Sequence, residues 1–237
     1  EQKTVAAKAM ANVHFRRALA MSEDRISINA QSIGDELAPL SVRNSYTPGN
    51  FVVLEEDVTV DVNGTATTFK AGTNYGEIMQ AQIDADEFKI TVWDPKADDG
   101  VGSSDGYDGW YNPENAMAEL NVAVKQLAEA GVTVTTDNPI VIDIPYPSNL
   151  ENYTNKEQAA KKSIEAALGG LVKINLVECV DTDQFYNVGY RTDYGFQANY
   201  HTYDLSGWGP DFGDPCTYLD TFLPDYSGYM VKCIGLF

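Results

Sequence analysis

The residues best suited to bind or transform a ligand stand together in the stretch 207–215. It reads Gly-Trp-Gly-Pro-Asp-Phe-Gly-Asp-Pro, so an aromatic ring and two carboxylates share a backbone interrupted by glycine and proline. Glycine removes side chains where another backbone could approach, and proline fixes φ and withdraws an N–H donor. The pattern predicts a loop that presents main-chain groups to an extended ligand, with Trp208 and Asp211 beside them.

The two carboxylates of this stretch suit different chemistry. Asp211 is suited to bind an ammonium group, because a charge-assisted hydrogen bond persists where water competes poorly. Asp214 precedes Pro215, an arrangement typical of a helix start, so N-capping is the better interpretation of its role. Trp208 fits a pocket wall and a packed core equally well.

An acid and base pair formed by Asp211 and Asp214 would instead indicate a hydrolase. Such catalysis requires two separated pKa values and a substrate between the carboxylates. The sequence contains no serine nucleophile elbow, metal-binding histidine pair or phosphate-binding loop that would support an enzyme. The residues therefore favour a binding protein with no catalytic residues, no bound metal and no cofactor.

Four segments of the chain, taken in order, carry a resemblance to one protein family. Read with its continuation to Phe222, the 207–215 stretch resembles the Gly-Trp-x-x-Asp-Tyr-x-Asp-Pro-x-x-(Tyr/Phe)-Leu signature of oligopeptide-binding subunits of ABC importers. Residues 12–25, 38–48 and 112–131 resemble the family's opening helix, its proline-marked loop and its Ala-x-x-Leu-Leu-x-Glu-Ala-Gly helix. The chain is thereby similar to the extracellular solute-binding proteins of family 5.

The resemblance implies a substrate site at Gly207, Trp208, Gly209 and Asp211. In the family, the main chain of this loop pairs with the peptide and the first aspartate binds the peptide's α-ammonium. Because main-chain pairing of the β-strand-addition kind is indifferent to side chains, such a site accepts many peptide sequences. Residues 203–206, where some members carry cations for the peptide carboxylate, contain none, which leaves the anchoring of that carboxylate open.

After residue 112 the pattern alternates between helix and strand, which indicates βαβ units and an α/β fold. The predicted elements are a helix at 113–130 ended by Gly131, a strand at 140–144, a helix at 156–168 capped by Asn155 and ended by Gly169-Gly170, and strands at 171–177 and 196–203. The resemblance implies a periplasmic-binding-protein-like type II fold, with this chain as a C-terminal lobe whose mixed sheet is flanked by helices. Residues 1–237 would then form one peptide-binding lobe, a fragment of a larger two-lobed protein.

The first part of the chain predicts one long helix at 5–29. Its apolar residues recur at helical spacing, so Arg16, Arg17 and Arg25 are predicted to be largely solvated on the other face. Beyond it, Pro39 and Pro48 predict a loop that leads into a strand-like run at 51–54.

Residues from about 51 to 110 are interpreted as an inserted hairpin and loop region. Within it, alternating β-formers around Asn63-Gly64 predict a β-hairpin at 58–69. Asp61 and Asn63 mimic half of a calcium loop whose other ligands are missing, so a turn is favoured over a metal site. The Asp-Gly-rich stretch 98–109 has slightly more metal potential, but a solvated surface loop is the better interpretation.

Composition bounds the partners and the redox state. With 16 Lys plus Arg against 35 Asp plus Glu, the net charge of −19 opposes binding to nucleic acid, whose affinity depends on phosphate neutralisation. Cys179, Cys216 and Cys233 are an odd number, so at least one is free or pairs outside this sequence. A bridge between Cys216 and Cys233 and three reduced thiols both remain open.

The function that the resemblance implies is extracellular capture of oligopeptides and their delivery to the permease subunits of an ABC transporter. The peptide would lie between this lobe and an N-terminal lobe that the chain lacks. The location would be the surface of a Gram-positive cell, through a lipid anchor outside this sequence, or the periplasm. Because a fold does not decide its ligand, a same-fold binding protein for a dipeptide, nickel, haem or an oligosaccharide is the alternative.

Overall fold

The computed structural model describes residues 2–45, 47–94, 108–194, 197, 200–202, 213, 217, 220–223 and 229–231. In chain order its elements are α1 (Gln2–Ala11), α2 (Val13–Ala20), α3 (Arg25–Ile33), α4 (Ala38–Ser41), β1 (Val58–Val62), β2 (Thr65–Phe69), α5 (Tyr75–Ala85), α6 (Pro113–Glu129), β3 (Ile140–Pro147), α7 (Glu151–Ala167), β4 (Val172–Cys179) and α8 (Thr182–Asn187). Two short 3₁₀ turns follow, at Asp220–Phe222 and Tyr229–Val231.

β3 and β4 form a parallel pair joined by α7, as the alternation of helix and strand predicts. Every residue of β3 has a partner on β4, and Ile142 lies opposite Ile174. A parallel pair needs a long crossover connection, which α7 supplies. The predicted α/β class is confirmed by this unit, although both strands run further than their apolar cores indicate. α6 ends at Glu129, one residue before the predicted end, and Gly131 follows at φ 80°.

The start of α7 differs from the prediction, whereas its end agrees. The helix begins at Glu151 and contains Asn155, so the prediction of Asn155 as its N-cap is wrong. Leu150 stands at the cap position without a capping side chain, and its carbonyl accepts N–H donors of the first turn. At the other end, Gly169 and Gly170 have φ of 58° and 79°, left-handed values that glycine adopts at low cost and that end the helix.

The outer edge of β4 is covered at Ile174 by side chains of α7. Lys161 Nζ donates to the Ile174 carbonyl at 2.8 Å, and Glu165 Oε1 accepts from the Ile174 N–H at 2.9 Å. Lys161 and Glu165 also form an ion pair at 3.8 Å. The main-chain groups of this edge residue are therefore satisfied without another strand.

The prediction of one helix at 5–29 is wrong, because polar side chains divide this segment into α1, α2 and α3. The Asn12 side chain accepts from the Phe15 N–H and starts α2. The Asp24 carboxylate accepts from the Ser27 N–H and starts α3. Both are ordinary N-cap residues, and a cap inside an apolar stripe redirects the chain.

The main apolar core lies between the β3–β4 pair and the helices α1, α2, α6 and α7. Its largest fully buried side chains are Phe15, Met21, Leu120, Ile140, Ile142, Ile164, Leu168 and Ile174. Of the arginines predicted to be solvated, Arg16 is exposed. The prediction is wrong for Arg17, which stacks 4.6 Å from the Phe88 ring centroid and lies 3.9 Å from Glu119. The apolar stem and planar head of arginine make such half-buried positions favourable.

The predicted hairpin is confirmed as β1 and β2, paired antiparallel. Asn63 and Gly64 have φ of 49° and 80°, the positive values that the tight hairpin turn demands. Asp61 Oδ1 accepts from the Gly64 N–H at 2.8 Å, so this carboxylate supports the turn. The predicted strand at 51–54 is wrong, since the chain there makes an isolated bridge between Val53 and Asn74.

The Trp93 side chain packs against two other parts of residues 47–94, hereafter the 47–94 region. The Trp93 indole lies between Gly49 and Gly76, and a Cβ atom at either glycine would overlap the ring. The Gln80 side chain accepts from the Val92 and Trp93 N–H groups, at 2.7 and 3.2 Å. The proline-marked loop that precedes this region contains the short helix α4, with Pro39 in its first turn.

Candidate functional site

The predicted substrate residues Gly207, Trp208, Gly209 and Asp211 lie outside the described residues. Cys216, Cys233 and most of the 98–109 loop lie outside them as well. The structure describes residues 200–202, hereafter the approach, which precede the 207–215 stretch, hereafter the Gly-Trp stretch. It also describes β3, to which the approach is hydrogen-bonded. The candidate site is built from these two parts.

Residues 201 and 202 of the approach make hydrogen bonds to Asp143 of β3. The Asp143 carbonyl accepts from the His201 N–H at 3.1 Å and from the Thr202 N–H at 3.4 Å. The Asp143 N–H donates to His201 Nδ1 at 2.8 Å. We call this arrangement of Asp143 and His201 the β3 junction. It occupies the edge of β3 that faces away from β4.

The β3 junction explains why residues 200–202 do not form the predicted strand. In a β-ladder, a carbonyl of the neighbouring strand would accept the Asp143 N–H. Here the imidazole of His201 takes that place, so the ladder is replaced by a side-chain contact. Gln197 likewise lies outside any strand, and the rest of the predicted strand 196–203 lies outside the described residues.

The carboxylate of Asp143 is held beside the same imidazole. Asn175 Nδ2, on β4, donates to Asp143 Oδ1 at 2.7 Å. The other oxygen, Oδ2, lies 3.6 Å from His201 Nδ1, and the side chains of His201 and Asp143 are 16% and 24% exposed. One ring nitrogen therefore faces both a main-chain donor and a carboxylate.

An apolar cleft of about 230 Å³ opens beside Thr202. Buried isoleucines of β3, β4 and α7 form its floor, and Arg16 and Glu23 add charge to its lining. The cleft is large enough for a side chain of a bound ligand, and it lies next to the approach to the Gly-Trp stretch. Its lining residues are Met10, Arg16, Leu19, Ala20, Glu23, Ile142, Ile144, Ile164, Ile174 and Thr202.

A second polar cluster, the Arg25 clamp, joins Arg25, Asn44 and Asp108. Arg25 Nε donates to Asp108 Oδ1 at 3.0 Å, and Arg25 Nη2 donates to Asn44 Oδ1 at 2.9 Å. The Asp108 side chain is 5% exposed, so the prediction of a solvated loop with metal potential is wrong for this residue. The prediction that Arg25 is largely solvated is also wrong, because its guanidinium binds Asp108 and Asn44. The Asn44 carbonyl accepts from Trp110 Nε1 at 2.9 Å.

The Arg25 clamp borders a cleft of about 530 Å³. Its lining residues are Ala20, Glu23, Arg25, Arg43, Asn44, Ser45 and Trp110. Just beyond, burial raises the pKa of Tyr111, and the carboxylates of Asp24 and Asp108 raise it further. The clamp thus explains what the Asp24-Arg25 pair of the opening motif does here: one caps α3 and the other binds Asp108.

The carboxyl ends of β3 and β4 meet at Ser148 and Cys179. The Ser148 N–H donates to the Cys179 carbonyl at 2.9 Å. Cys179 is a free, buried cysteine, and burial, followed by the nearby Asp181, raises the pKa of its thiol. Ligands of open α/β sheets bind outside such strand ends, so this end of the sheet is where a binding loop is expected.

Neither junction nor clamp has the composition of a metal centre. Among the described residues, the structure contains no group of three or more His, Cys, Asp or Glu side chains that could hold a metal ion. None of the helices in the described part of the chain is both long and apolar enough to cross a membrane.

Sequence reasoning missed both the β3 junction and the Arg25 clamp, because the residues that meet in them are far apart in the chain.

Comparison with known proteins identifies relatives over almost the whole chain. It is 33% identical over 224 residues to the oligopeptide-binding protein AmiA of Streptococcus pneumoniae, covering 92% of this chain and 29% of AmiA. It is 31% identical over 224 residues to the oligopeptide-binding protein AliA of the same species, covering 94% of this chain and 30% of AliA. No family model matches the chain.

Solved structures share the fold. A peptide-binding protein of a peptide ABC transporter matches with a TM-score of 0.50 and 19% identity, covering 95% of this chain and 72% of that chain. The substrate-binding domain of an oligopeptide ABC transporter from Bacillus anthracis matches with a TM-score of 0.51 and 17% identity, covering 95% of this chain and 31% of that chain. The chain is thus similar over almost its whole length to oligopeptide-binding proteins, as its motifs predict, and it spans about three tenths of the length of AmiA and AliA.

Proposed function

We propose that the protein to which this chain belongs captures oligopeptides outside the cell and delivers them to the permease subunits of an ABC transporter. The observation that carries this proposal is the 33% identity to AmiA, an oligopeptide-binding protein, over 92% of the chain. A binding role without catalysis follows, since the named relatives are binding proteins. Extracellular or periplasmic location belongs to the same proposal.

Recognition is assigned to the main chain of Gly207 and Gly209, with Trp208 forming a pocket wall. Asp211 accepts a charge-assisted hydrogen bond from the α-ammonium of the peptide. This division of roles leaves the peptide side chains loosely read, because only its main chain and its amino end are specified. The capping interpretation of Asp214 keeps that carboxylate out of the site.

The position of the approach supports this assignment. Residues 200–202 lie on the free edge of β3, in the same sheet whose carboxyl end is formed by residues 147–148 and 179. Ligands of open α/β sheets bind outside the carboxyl ends of the strands, and the proposal assigns the peptide to that region.

A second lobe is part of the proposal. The curated relatives are about three times longer than the matched segment, which covers 29% of AmiA and 30% of AliA. Peptide would be enclosed between this lobe and the N-terminal lobe, and closure would remove water from the contacts at Asp211. On this view the 237-residue chain by itself binds peptide weakly.

The test is isothermal titration calorimetry of the longest natural protein that contains this chain, with a pool of short peptides that have free amino ends. The same pool with acetylated amino ends is the matched ligand control. We expect Asp211→Asn to weaken binding of the free peptides about tenfold or more, because the neutral amide oxygen attracts the ammonium less strongly than the carboxylate does. Acetylated peptides should bind weakly to both forms.

Asp214→Asn is the matched protein control and should keep the affinity for free peptides. Unchanged affinity in folded Asp211→Asn would contradict the anchor. Absence of peptide binding, together with binding of nickel, haem or an oligosaccharide, would replace peptide by that ligand. Peptide hydrolysis that Asp214→Ala abolishes would instead establish a hydrolase.

A further inference from the structure

The turn of the β1–β2 hairpin holds the one Asn-Gly pair of the sequence, Asn63-Gly64. Both residues are exposed, and a Cβ atom added at Gly64 would meet no other group within 4 Å. An asparagine that precedes glycine loses its side-chain amide more readily than other asparagines, because no Cβ atom shields the main-chain nitrogen that attacks it. The turn is therefore a place where the chain can change covalently without an enzyme.

The reaction needs only groups of the turn and water. The Gly64 main-chain nitrogen loses its proton and bonds to Cγ of Asn63. The Cγ–Nδ2 bond breaks, so ammonia leaves and a five-membered succinimide ring remains. Water then opens the ring, either at Cγ to give aspartate or at the main-chain carbon to give isoaspartate. In isoaspartate the main chain runs through the former side chain and is one atom longer, and no atom is oxidised or reduced in either case.

Two hydrogen bonds of the folded hairpin oppose this reaction. The Gly64 N–H donates to Asp61 Oδ1 at 2.8 Å, and the carboxylate disfavours the negative charge that loss of the Gly64 proton would create. Asn63 Nδ2 donates to the Ala85 carbonyl, at the end of α5, also at 2.8 Å. Ring closure pulls the carboxamide toward Gly64 and breaks its contact with α5.

We propose that Asn63 is a modification site, at which the folded protein slowly acquires aspartate and isoaspartate at a rate held down by Asp61 and by the contact with Ala85. A carboxylate at position 63 offers no donor to the Ala85 carbonyl. Isoaspartate also changes the length of a turn whose two residues have φ of 49° and 80°, the values that a tight hairpin requires. Modification therefore releases the tip of the hairpin from α5.

The charges around the turn reinforce this release. Modification replaces a neutral amide by a carboxylate, two residues after Asp61. Asp84 and Asp86 flank Ala85 in the chain, so the new charge is added beside an end of α5 that is already acidic. Lys70, the cation of the hairpin, pairs with Asp57 at 2.7 Å. Like charges at short range repel, which disfavours the docked tip.

The first test is peptide mapping by mass spectrometry of the longest natural protein that contains this chain, after incubation in mildly alkaline buffer. An isoaspartyl methyltransferase distinguishes isoaspartate from aspartate. We expect modification of Asn63 in the folded protein, and a rate about 4- to 100-fold higher in denaturant, where both hydrogen bonds are lost. Asn155, exposed on α7 and followed by lysine, is the internal reference and should stay intact. Equal rates in the folded and unfolded protein would overturn the proposal, as would a folded protein that stays unmodified long after the unfolded one has been converted.

Substitutions of Asp61 separate its charge from its hydrogen bond. Asp61→Ala removes both and should speed the modification about 2- to 10-fold. Asp61→Asn retains an oxygen acceptor without the charge and should react at an intermediate rate. Thr68→Ala is the matched control, because it removes the 2.8 Å bond between Thr59 and Thr68 and weakens the hairpin away from its turn. Slower modification without the Asp61 carboxylate would show that it acts as a base, and an equal gain in Thr68→Ala would trace the effect to general opening of the hairpin; either result would overturn the role of Asp61.

Hydrogen exchange tests the structural result of the modification. Asn63→Asp stands for the aspartate product and should speed exchange in the hairpin and at the end of α5, with β3 and β4 unchanged. Asn63→Gly keeps the turn geometry but loses the contact with Ala85 without adding a charge, so it should have the smaller effect. Unchanged exchange of the hairpin in Asn63→Asp and in the isoaspartate form would overturn the release.

Discussion

The β3-α7-β4 unit and the 47–94 region keep their shapes by different means. In the first, every residue of β3 pairs with β4, and buried isoleucines from three elements share the main core. In the second, Ile83, Ile90 and Val92 reach the same core, whereas Gly49 and the start of α5 pack on the Trp93 ring and the Gln80 side chain accepts from the Val92 and Trp93 N–H groups. Isolated two-stranded hairpins are marginally stable, so the 47–94 region needs these few contacts.

Loss of one side chain should therefore unfold a different share of the chain in each of the two regions. A ladder with a shared core distributes its stability over many residues, and its loss unfolds the whole unit. A region that places fewer side chains in that core and packs on one ring can open while the rest of the chain stays folded, because local opening costs only the contacts that it breaks.

The largest expected effect is that of Trp93→Ala. Removing a buried tryptophan costs about 3–5 kcal/mol, and hydrogen exchange should rise in the 47–94 region before it rises in β3. Ile142→Ala, at about 2–5 kcal/mol, is the matched substitution in the strand pair and should accelerate exchange throughout. Equal, global acceleration by both variants would show that the two regions unfold together.

Gly76→Ala sharpens the same test, since its Cβ overlaps the indole ring. It should destabilise the wild-type chain by about 1–3 kcal/mol. In the Trp93→Ala background the ring is gone, so the same change should cost much less. Additive effects in this double-mutant cycle would show that the ring and the glycine do not act together.

The next effect concerns the Arg25 clamp, which ties Asn44, before the inserted region, and Asp108, near the end of that region, to α3. Arg25→Met leaves the Asp108 carboxylate largely buried without its guanidinium, and we expect a loss of about 1–3 kcal/mol in chemical denaturation. Asp108→Asn in the Arg25→Met background should recover part of the loss. Arg16→Met, at an exposed arginine, is the control and should change stability little. Equal losses of stability in Arg25→Met and Arg16→Met would show that the Arg25 clamp does not stabilise the fold.

The smallest effect probes the end of β4 through Cys179. Burial, followed by Asp181, raises the pKa of its thiol, and the thiolate is the reactive form. In a Cys216→Ser, Cys233→Ser chain, maleimide should therefore react with Cys179 at higher pH than with the unfolded chain. The raised pKa stabilises the fold below the ordinary thiol pKa, and this contribution is lost as the pH rises through the raised value.

Asp181→Asn should speed the reaction of the folded chain slightly, since it removes the second cause of the shift. Without the Asp181 substitution, the folded Cys216→Ser, Cys233→Ser chain should react with maleimide more slowly at neutral pH than the unfolded chain does. Equal rates would contradict the burial of Cys179. It would also indicate that the end of the strand pair opens as readily as the 47–94 region.

The sequence predicted those parts of the fold whose signals are local. The alternation after residue 112, the turn at Asn63-Gly64 and the glycines after α7 each act within a few residues, and the structure agrees with all three. The three N-terminal helices were not predicted, although Asn12 and Asp24 are N-cap residues, because an apolar stripe at helical spacing suggested one continuous helix.

Side-chain clusters were beyond local patterns. Arg25 meets Asp108, and His201 meets Asp143, only after strands and helices bring distant segments together. No spacing rule links such residues. For this reason Arg25 was predicted to be solvated and Asp108 to lie in a solvated loop. The four substrate residues at 207–211 rest on the motif, whose chemistry is recognisable without a fold; they remain predictions.

The two bonds from Lys161 and Glu165 to Ile174 have a consequence for self-association. A second copy of the chain that approaches the outer side of β4 finds the donor and acceptor of Ile174 already occupied. It would have to displace an ion pair before it could add a strand there. Strand addition at Ile174 is thereby hindered at high protein concentration, and on the opposite side the main-chain groups of Asp143 are likewise occupied, by residues 201 and 202.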